Sequence, residues 1–133
     1  MKTLFRLLIV DDQPRARQSL SALLVIDFPQ IKIFEASNGQ EALSQVATNH
    51  PDIVVMDVLM PELDGIAATR LIKTMRPQIK IILYSMYAEY QSDALIAGAD
   101  AFITKGEPPK SMVATIAALV KSDSDSSPSH TGE

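Results

Sequence analysis

The chain has 133 residues, 47% of them hydrophobic and 21% charged, with 8 Pro, 5 Gly and no Cys, a length that suits one domain burying roughly two-thirds of its unfolded surface. The absence of cysteine excludes a disulfide framework, Cys-ligated zinc or iron–sulfur centres and a thiol nucleophile. Residues 1–121 carry 12 basic against 13 acidic side chains, so no basic field draws in nucleic acid or an anionic membrane, and neither is expected as a direct partner.

Lys2 and Arg6 run into Asp11 and Asp12 with no small-residue cleavage site, which reads as no signal peptide. The apolar runs are far shorter than the ~20 residues that a bilayer requires, and a cytoplasmic domain is expected. The first β-type run is Phe5–Val10. After it, Ala16, Leu20, Leu23 and Leu24 share a helical face, with Pro14 where a first helical turn tolerates proline. Ile31–Glu35 is the second strand, followed by a helix presenting Ala42, Leu43, Val46 and Ala47. Ile53–Met56 is the third, followed by a face of Ala68, Leu71, Ile72 and Met75. Ile79–Tyr84 is the fourth, and the helix around Asp93–Ala97 is weakly marked, its apolar face being mostly alanine. Ala101–Thr104 is the fifth strand, and Met112, Val113, Ile116, Leu119 and Val120 mark the last helix.

The first, third and fourth runs are almost continuously apolar, as in strands covered on both faces. Strand and helix alternating five times is the pattern of an α/β fold, a parallel sheet with helices on both sides. Residues 122–133 hold five Ser, two Asp, a Pro and a Gly, with no apolar residue. The expected division is therefore a domain over 1–121 and a solvated, disordered tail or the start of a linker over 122–133.

In an open parallel sheet, ligands bind beyond the carboxyl ends of the strands where strand order reverses. The residues following the strands are Asp11 and Asp12 after the first, Asp57 after the third, Ser85 after the fourth and Lys105 after the fifth. Three carboxylates in one cleft raise each other's pKa unless a cation neutralises them. A hard, oxygen-loving ion such as Mg²⁺ does so. No GxGxxG or GxxxxGK[ST] occurs, and neither His50 nor His130 lies near a strand end, which removes dinucleotide, P-loop and histidine-based chemistry. The remaining chemistry is a carboxylate attacking phosphorus. Lys105 would neutralise phosphoryl charge and Ser85 would donate to a phosphoryl oxygen. Met56 and Met60 beside Asp57 read as core packing, and so does aromatic spacing at Tyr84, Tyr87 and Tyr90, with a partner surface as the alternative for any exposed members.

These residues, with Asn38-Gly39-Gln40-Glu41-Ala42-Leu43, Pro51-Asp52, Met60-Pro61, Asp64-Gly65 and Gly98-Ala99-Asp100-Ala101, resemble the response-regulator receiver domains of two-component signalling over residues 5 to 121. The resemblance implies a flavodoxin-like (βα)₅ fold of strand order 2-1-3-4-5. It implies phosphorylation of Asp57 by a sensor histidine kinase or phosphotransfer protein. Mg²⁺ would be held by Asp12, Asp57 and the Leu59 backbone carbonyl, with Asp11 acting largely through water, while Ser85 and Lys105 contact the phosphoryl oxygens. The last helix, last strand and fourth helix would then shift, a homodimer through those elements being one form of readout.

Two departures stand out. Gly106 follows Lys105 where many receivers have proline; Lys105-Gly106-Glu107 and Ser85-Met86-Tyr87 look like receivers that precede a LuxR-type DNA-binding domain. The aromatic switch position holds Phe102, which has no hydroxyl, so the switch would act by packing. In receivers generally, the residues two after the acceptor and two after the Ser/Thr tune hydrolysis; here these are Leu59 and Tyr87. An aspartyl-phosphate phosphatase would need a second Asp where Leu59 stands. A pseudo-receiver, binding partners without phosphorylation, is the other rival. On this reading the chain is no enzyme beyond its own phosphorylation and dephosphorylation.

Overall fold

The computed structural model describes residues 5–132, with side chains as far as Lys121. In chain order the elements are β1 (Arg6–Val10), α1 (Pro14–Asp27), β2 (Lys32–Ala36), α2 (Gly39–Asn49), β3 (Ile53–Asp57), α3 (Gly65–Met75), β4 (Lys80–Ser85), α4 (Gln91–Ile96), β5 (Ala101–Thr104) and α5 (Pro109–Gly132). A single 3₁₀ turn, Ala88–Tyr90, leads into α4. All five strands pair in parallel in the order β2-β1-β3-β4-β5, the flavodoxin-like arrangement that the resemblance implied. Every residue of β3 is buried, as are all but the first of β1 and β4. The continuous apolar runs are therefore the central strands.

Alternation along each strand splits the core into two layers. Leu8, Val10, Val54, Met56, Ile81 and Leu83 pack with Ala42, Val46, Ala68, Ile72 and Ala94 of α2, α3 and α4. Leu7, Ile9, Ile53, Val55, Ile82, Tyr84 and Ile103 pack with Leu24, Met112 and Ile116 of α1 and α5. Met56 and Met60 are buried, in the first of these layers.

Helix starts are set by local chemistry. Pro14 stands in the first turn of α1. Asn38 accepts the Glu41 N–H at 2.8 Å, and Glu41 in turn accepts the Ser37 N–H at 2.7 Å, a reciprocal cap worth ~1 kcal/mol. Asp64 caps α3 by accepting the Ala67 N–H at 2.8 Å.

The face expected for α3 needs correction. The packed residues are Gly65, Ala68, Thr69 and Ile72, while Leu71 and Met75 are exposed. Thr69 takes a core position that hydropathy does not give it because its hydroxyl donates to the Gly65 carbonyl at 2.8 Å, so no polar group is left unpaired. On α2, Ala47 is likewise exposed. Helical backbone in α5 continues to Gly132. The division between 121 and 122 is thus carried by composition alone; Glu133 and the side chains of the expected tail, His130 included, lie outside the described residues.

Candidate functional site

Strand order reverses between β1 and β3, and the carboxyl ends of these strands carry the acidic residues. Asp57 ends β3 and is the register partner of Tyr84 on β4. Parallel partners point to the same side of a sheet, so Asp57 shares the α1–α5 side with Val55, Ile82 and Tyr84. Asp11 directly follows β1, its N–H donating to the Ala36 carbonyl of β2 at 3.2 Å. One carboxylate oxygen from each of Asp11, Asp12 and Asp57 lies within 4.8 Å of the other two. Asp11 is fully buried, Asp57 nearly so, and Asp12 is half-buried.

Lys105 closes the cluster from the end of β5. Its N–H donates to the Ser85 carbonyl at 2.8 Å, which anchors the residue beside β4. The ammonium reaches Asp57 Oδ2 at 3.2 Å and Asp11 Oδ2 at 3.4 Å. Beside it an open cleft of about 370 Å³ runs between α1 and α5, lined by Leu20, Leu23, Tyr84, Ile103 and Met112 among others.

Burial pushes the Asp57 carboxyl above its ordinary range; the Lys105 charge and hydrogen bond oppose this, Asp11 adds to it, and the Leu59 N–H opposes it. One ammonium facing three carboxylates leaves an excess of negative charge in a cleft of oxygen donors. That donor set suits a hard divalent cation, which accepts carboxylate, carbonyl and water oxygens.

Four of the expected residues, Asp11, Asp12, Asp57 and Lys105, are brought together. Ser85 is buried at the neighbouring strand end, where its Oγ accepts the Tyr87 N–H at 3.1 Å. Leu59 and Tyr87 are 45% and 53% exposed on the rim, and the Tyr87 ring packs edge-on against Tyr90 with centroids 6.4 Å apart. Phe102 is half-buried against the α2–α4 layer, as is Tyr90. His50 lies exposed in the loop before β3 with a left-handed backbone.

Tyr84, expected to serve packing, belongs to the site as well. Tyr84 is buried among apolar neighbours, yet its hydroxyl donates to Asp11 Oδ2 at 2.8 Å and its ring centroid lies 4.6 Å from Lys105 Nζ. Its position in the alternation with Ile82, immediately before Ser85, was the available signal.

Over residues 7–117 the chain matches the family described as the response regulator receiver domain. It is 39% identical over 102 residues to the chemotaxis protein CheY of Bacillus subtilis (strain 168), covering 75% of this chain and 84% of CheY. It is 41% identical over 105 residues to a protein-glutamate methylesterase/protein-glutamine glutaminase of a Nocardioides species, covering 75% of this chain. The matched part is 28% of that longer protein. Among solved structures, a LuxR-family two-component response regulator from an Aurantimonas species superposes with a TM-score of 0.83 at 31% identity, covering 90% of this chain and 86% of that one. A CheY-like receiver domain protein from Methanospirillum hungatei gives 0.84 at 27% identity, covering 92% and 98%.

Proposed function

The chain belongs to the response regulator receiver domains of two-component systems, and from that premise we propose that it is a switch thrown by phosphorylation of Asp57. The donor is a sensor histidine kinase or a phosphotransfer protein. The observation that carries this reading is the Lys105 ammonium set between Asp57 and buried Asp11 at the strand ends.

An Asp57 carboxylate oxygen forms a bond to phosphorus as the donor's bond to phosphorus breaks, and the displaced group leaves in line. Burial keeps the attacking oxygen dry, and Lys105 neutralises charge on the incoming phosphoryl oxygens. Ser85, whose Oγ accepts the Tyr87 N–H, has its own hydroxyl proton to donate to a phosphoryl oxygen. Mg²⁺, held by Asp12, Asp57 and the Leu59 carbonyl and by Asp11 through water, would supply further charge neutralisation when bound. Phosphorylation replaces the single carboxylate charge of Asp57 with a phosphoryl group of about −1.5 to −2 and three acceptor oxygens, drawing Lys105 and Ser85 inward and biasing two states of one domain. Phe102, without a hydroxyl, follows by packing. The surface of α4, β5 and α5 carries the readout, a homodimer included; Leu95 and Ile96 on α4 are exposed at 45% and 77%, which suits a partner there. Among the described residues no helix is long and apolar enough to cross a membrane, and a cytoplasmic site of action belongs to the same proposal.

The test is incubation of the full chain with acetyl phosphate and Mg²⁺, followed by intact mass and peptide mapping. One phosphoryl group on Asp57 is expected, and an unmodified protein at millimolar Mg²⁺ overturns the reading. Asp12→Ala removes a direct ligand, so Mg²⁺ affinity is expected to fall by at least tenfold, about 1.4 kcal/mol, with phosphorylation lost at millimolar Mg²⁺. Unchanged affinity on titration would show that Asp12 is not a ligand.

The lifetime of the signal follows from the rim. Hydrolysis needs a water in line with phosphorus. Leu59 offers that water no polar anchor, and Tyr87, braced by Tyr90, shields the approach. Self-dephosphorylation is expected to be slow, lasting many minutes. Leu59→Asn with Tyr87→Ala should speed it by about tenfold, ~1.4 kcal/mol in the barrier. Decay of the phosphorylated protein after donor removal measures it, and equal decay in both proteins would clear these positions of control.

A further inference from the structure

Asp11 is fully buried and carries three donors. Oδ1 accepts the Gln13 N–H at 2.9 Å, and Oδ2 accepts the Tyr84 hydroxyl at 2.8 Å and the Lys105 ammonium at 3.4 Å. A carboxylate has about four lone-pair sites. Three donors leave one for a cation or for the water that a cation carries.

Tyr84 is a fixed member of that set. Its hydroxyl donates to Asp11 Oδ2 from a buried position in the α1–α5 layer. Its ring adds a second hold, since Lys105 Nζ lies 4.6 Å from the centroid, within cation–π range. The surroundings do not call for a hydroxyl: Ile82, Ile103, Met112 and Ile116 share the same layer, and an aromatic ring alone fills it equally well. The polar atom serves Asp11.

We propose that Tyr84 is a positioning residue that sets the cation affinity of the phosphoacceptor site, by occupying a lone pair of Asp11 and holding Lys105 against the same oxygen. The proposal rests on the reading of this site as a Mg²⁺-dependent phosphoacceptor. With the hydroxyl in place, Asp11 is restricted to a single contact and so serves through water, and the site keeps a moderate affinity. Without it, Oδ2 regains a free lone pair facing Asp12 and Asp57, and Asp11 can bind the cation or a second of its waters.

The experiment is titration of the unphosphorylated full chain with Mg²⁺ alone, wild type against Tyr84→Phe, followed by backbone amide NMR at residues 11–13 and 57–59. Tyr84→Phe is expected to bind Mg²⁺ about threefold to tenfold more tightly, the latter equal to ~1.4 kcal/mol. General damage to the site would weaken binding instead. Equal or weaker binding by a folded Tyr84→Phe protein overturns the proposal. A second measurement needs no variant at position 84. With ¹³Cζ-labelled tyrosine in the wild type, the Tyr84 signal, identified by elimination using Tyr87→Phe and Tyr90→Phe, should shift as Mg²⁺ draws on Asp11. A still Tyr84 signal while the site amides respond also overturns it. A wild type in which neither amides nor tyrosine respond to Mg²⁺ removes the phosphoacceptor reading itself, and this inference with it.

Discussion

Asp57→Asn is expected to lose phosphoryl transfer completely and to gain stability at neutral pH. The two effects share one cause. Asp57 is a carboxylate that the fold buries at the end of β3, and burial raises its pKa in spite of Lys105 at 3.2 Å. Desolvation therefore outweighs the attraction. The ordinary value is 3.8. Between that value and the raised folded one, the folded state holds more protons than the unfolded state, so stability falls as pH rises through this window and stays lower above it. The benefit of the protonated group is fully present below about pH 3.8 and is lost as pH rises through the raised folded value. Asparagine keeps the shape without the charge and leaves Lys105 paired with Asp11 at 3.4 Å, so its advantage should vanish near pH 4 and be full above the raised folded value. Denaturant unfolding at several pH values gives the difference directly. Intact mass after acetyl phosphate treatment gives the chemistry: a phosphoryl group retained by Asp57→Asn would move the acceptor to another carboxylate.

Strands were legible because hydropathy and burial coincide in them. Leu7–Val10, Ile53–Met56 and Ile81–Tyr84 are apolar without interruption and buried without interruption. The offsets are one residue: the apolar Phe5, Ile31 and Ile79 stand just before Arg6, Lys32 and Lys80, which open β1, β2 and β4, and Ala36, Asp57 and Ser85 extend β2, β3 and β4 at their far ends. The helix faces were less legible. On α3, Thr69 buries its hydroxyl against its own helix's backbone and displaces Leu71 and Met75 to solvent. Spacing alone ranks leucine and methionine above threonine, and only the packing reverses this.

The site was legible where the chemistry sits at strand ends, because a parallel sheet with reversed order gathers those ends in one place. Asp11, Asp12, Asp57 and Lys105 needed only the strand limits. Tyr84 needed the register as well. An aromatic residue in an apolar run looks like core, and in the α1–α5 layer its ring is core. What turns it into a site residue is that Asp57 is its register partner and that Asp11 lies within reach of its hydroxyl, 73 positions earlier in the chain. No local pattern encodes that distance.

Asp64-Gly65 ties the proposed phosphoacceptor site to the fold, and Gly65→Ala is expected to damage both. Gly65 opens α3, and its N–H donates to the Val58 carbonyl at 2.8 Å, just past Asp57. A Cβ at this position would stand 2.2 Å from the Asp57 carbonyl oxygen and 3.0 Å from Val58 Cα and Leu83 Cδ2. Two of these contacts are backbone, which cannot swing aside as a flexible side chain does. Either the start of α3 retreats, stretching the bond to Val58 and the Asp64 cap, or the end of β3 moves and takes Asp57 with it. Overpacking of this kind costs about 1–3 kcal/mol, a fall in Tm of about 4 °C per kcal/mol for a domain of this size. A displacement of ~1 Å at the acceptor can slow transfer by ~10²-fold. Gly106→Ala is the matched comparison in the loop after Lys105. An added Cβ there meets nothing within 4 Å, so the smaller entropy of its unfolded chain should stabilise it by about 0.4–1 kcal/mol. Thermal melts and the rate of labelling by acetyl phosphate, run on both variants, separate the cases. A Gly65→Ala protein with wild-type Tm and rate would show that α3 yields freely and that the close approach does not hold Asp57 in place.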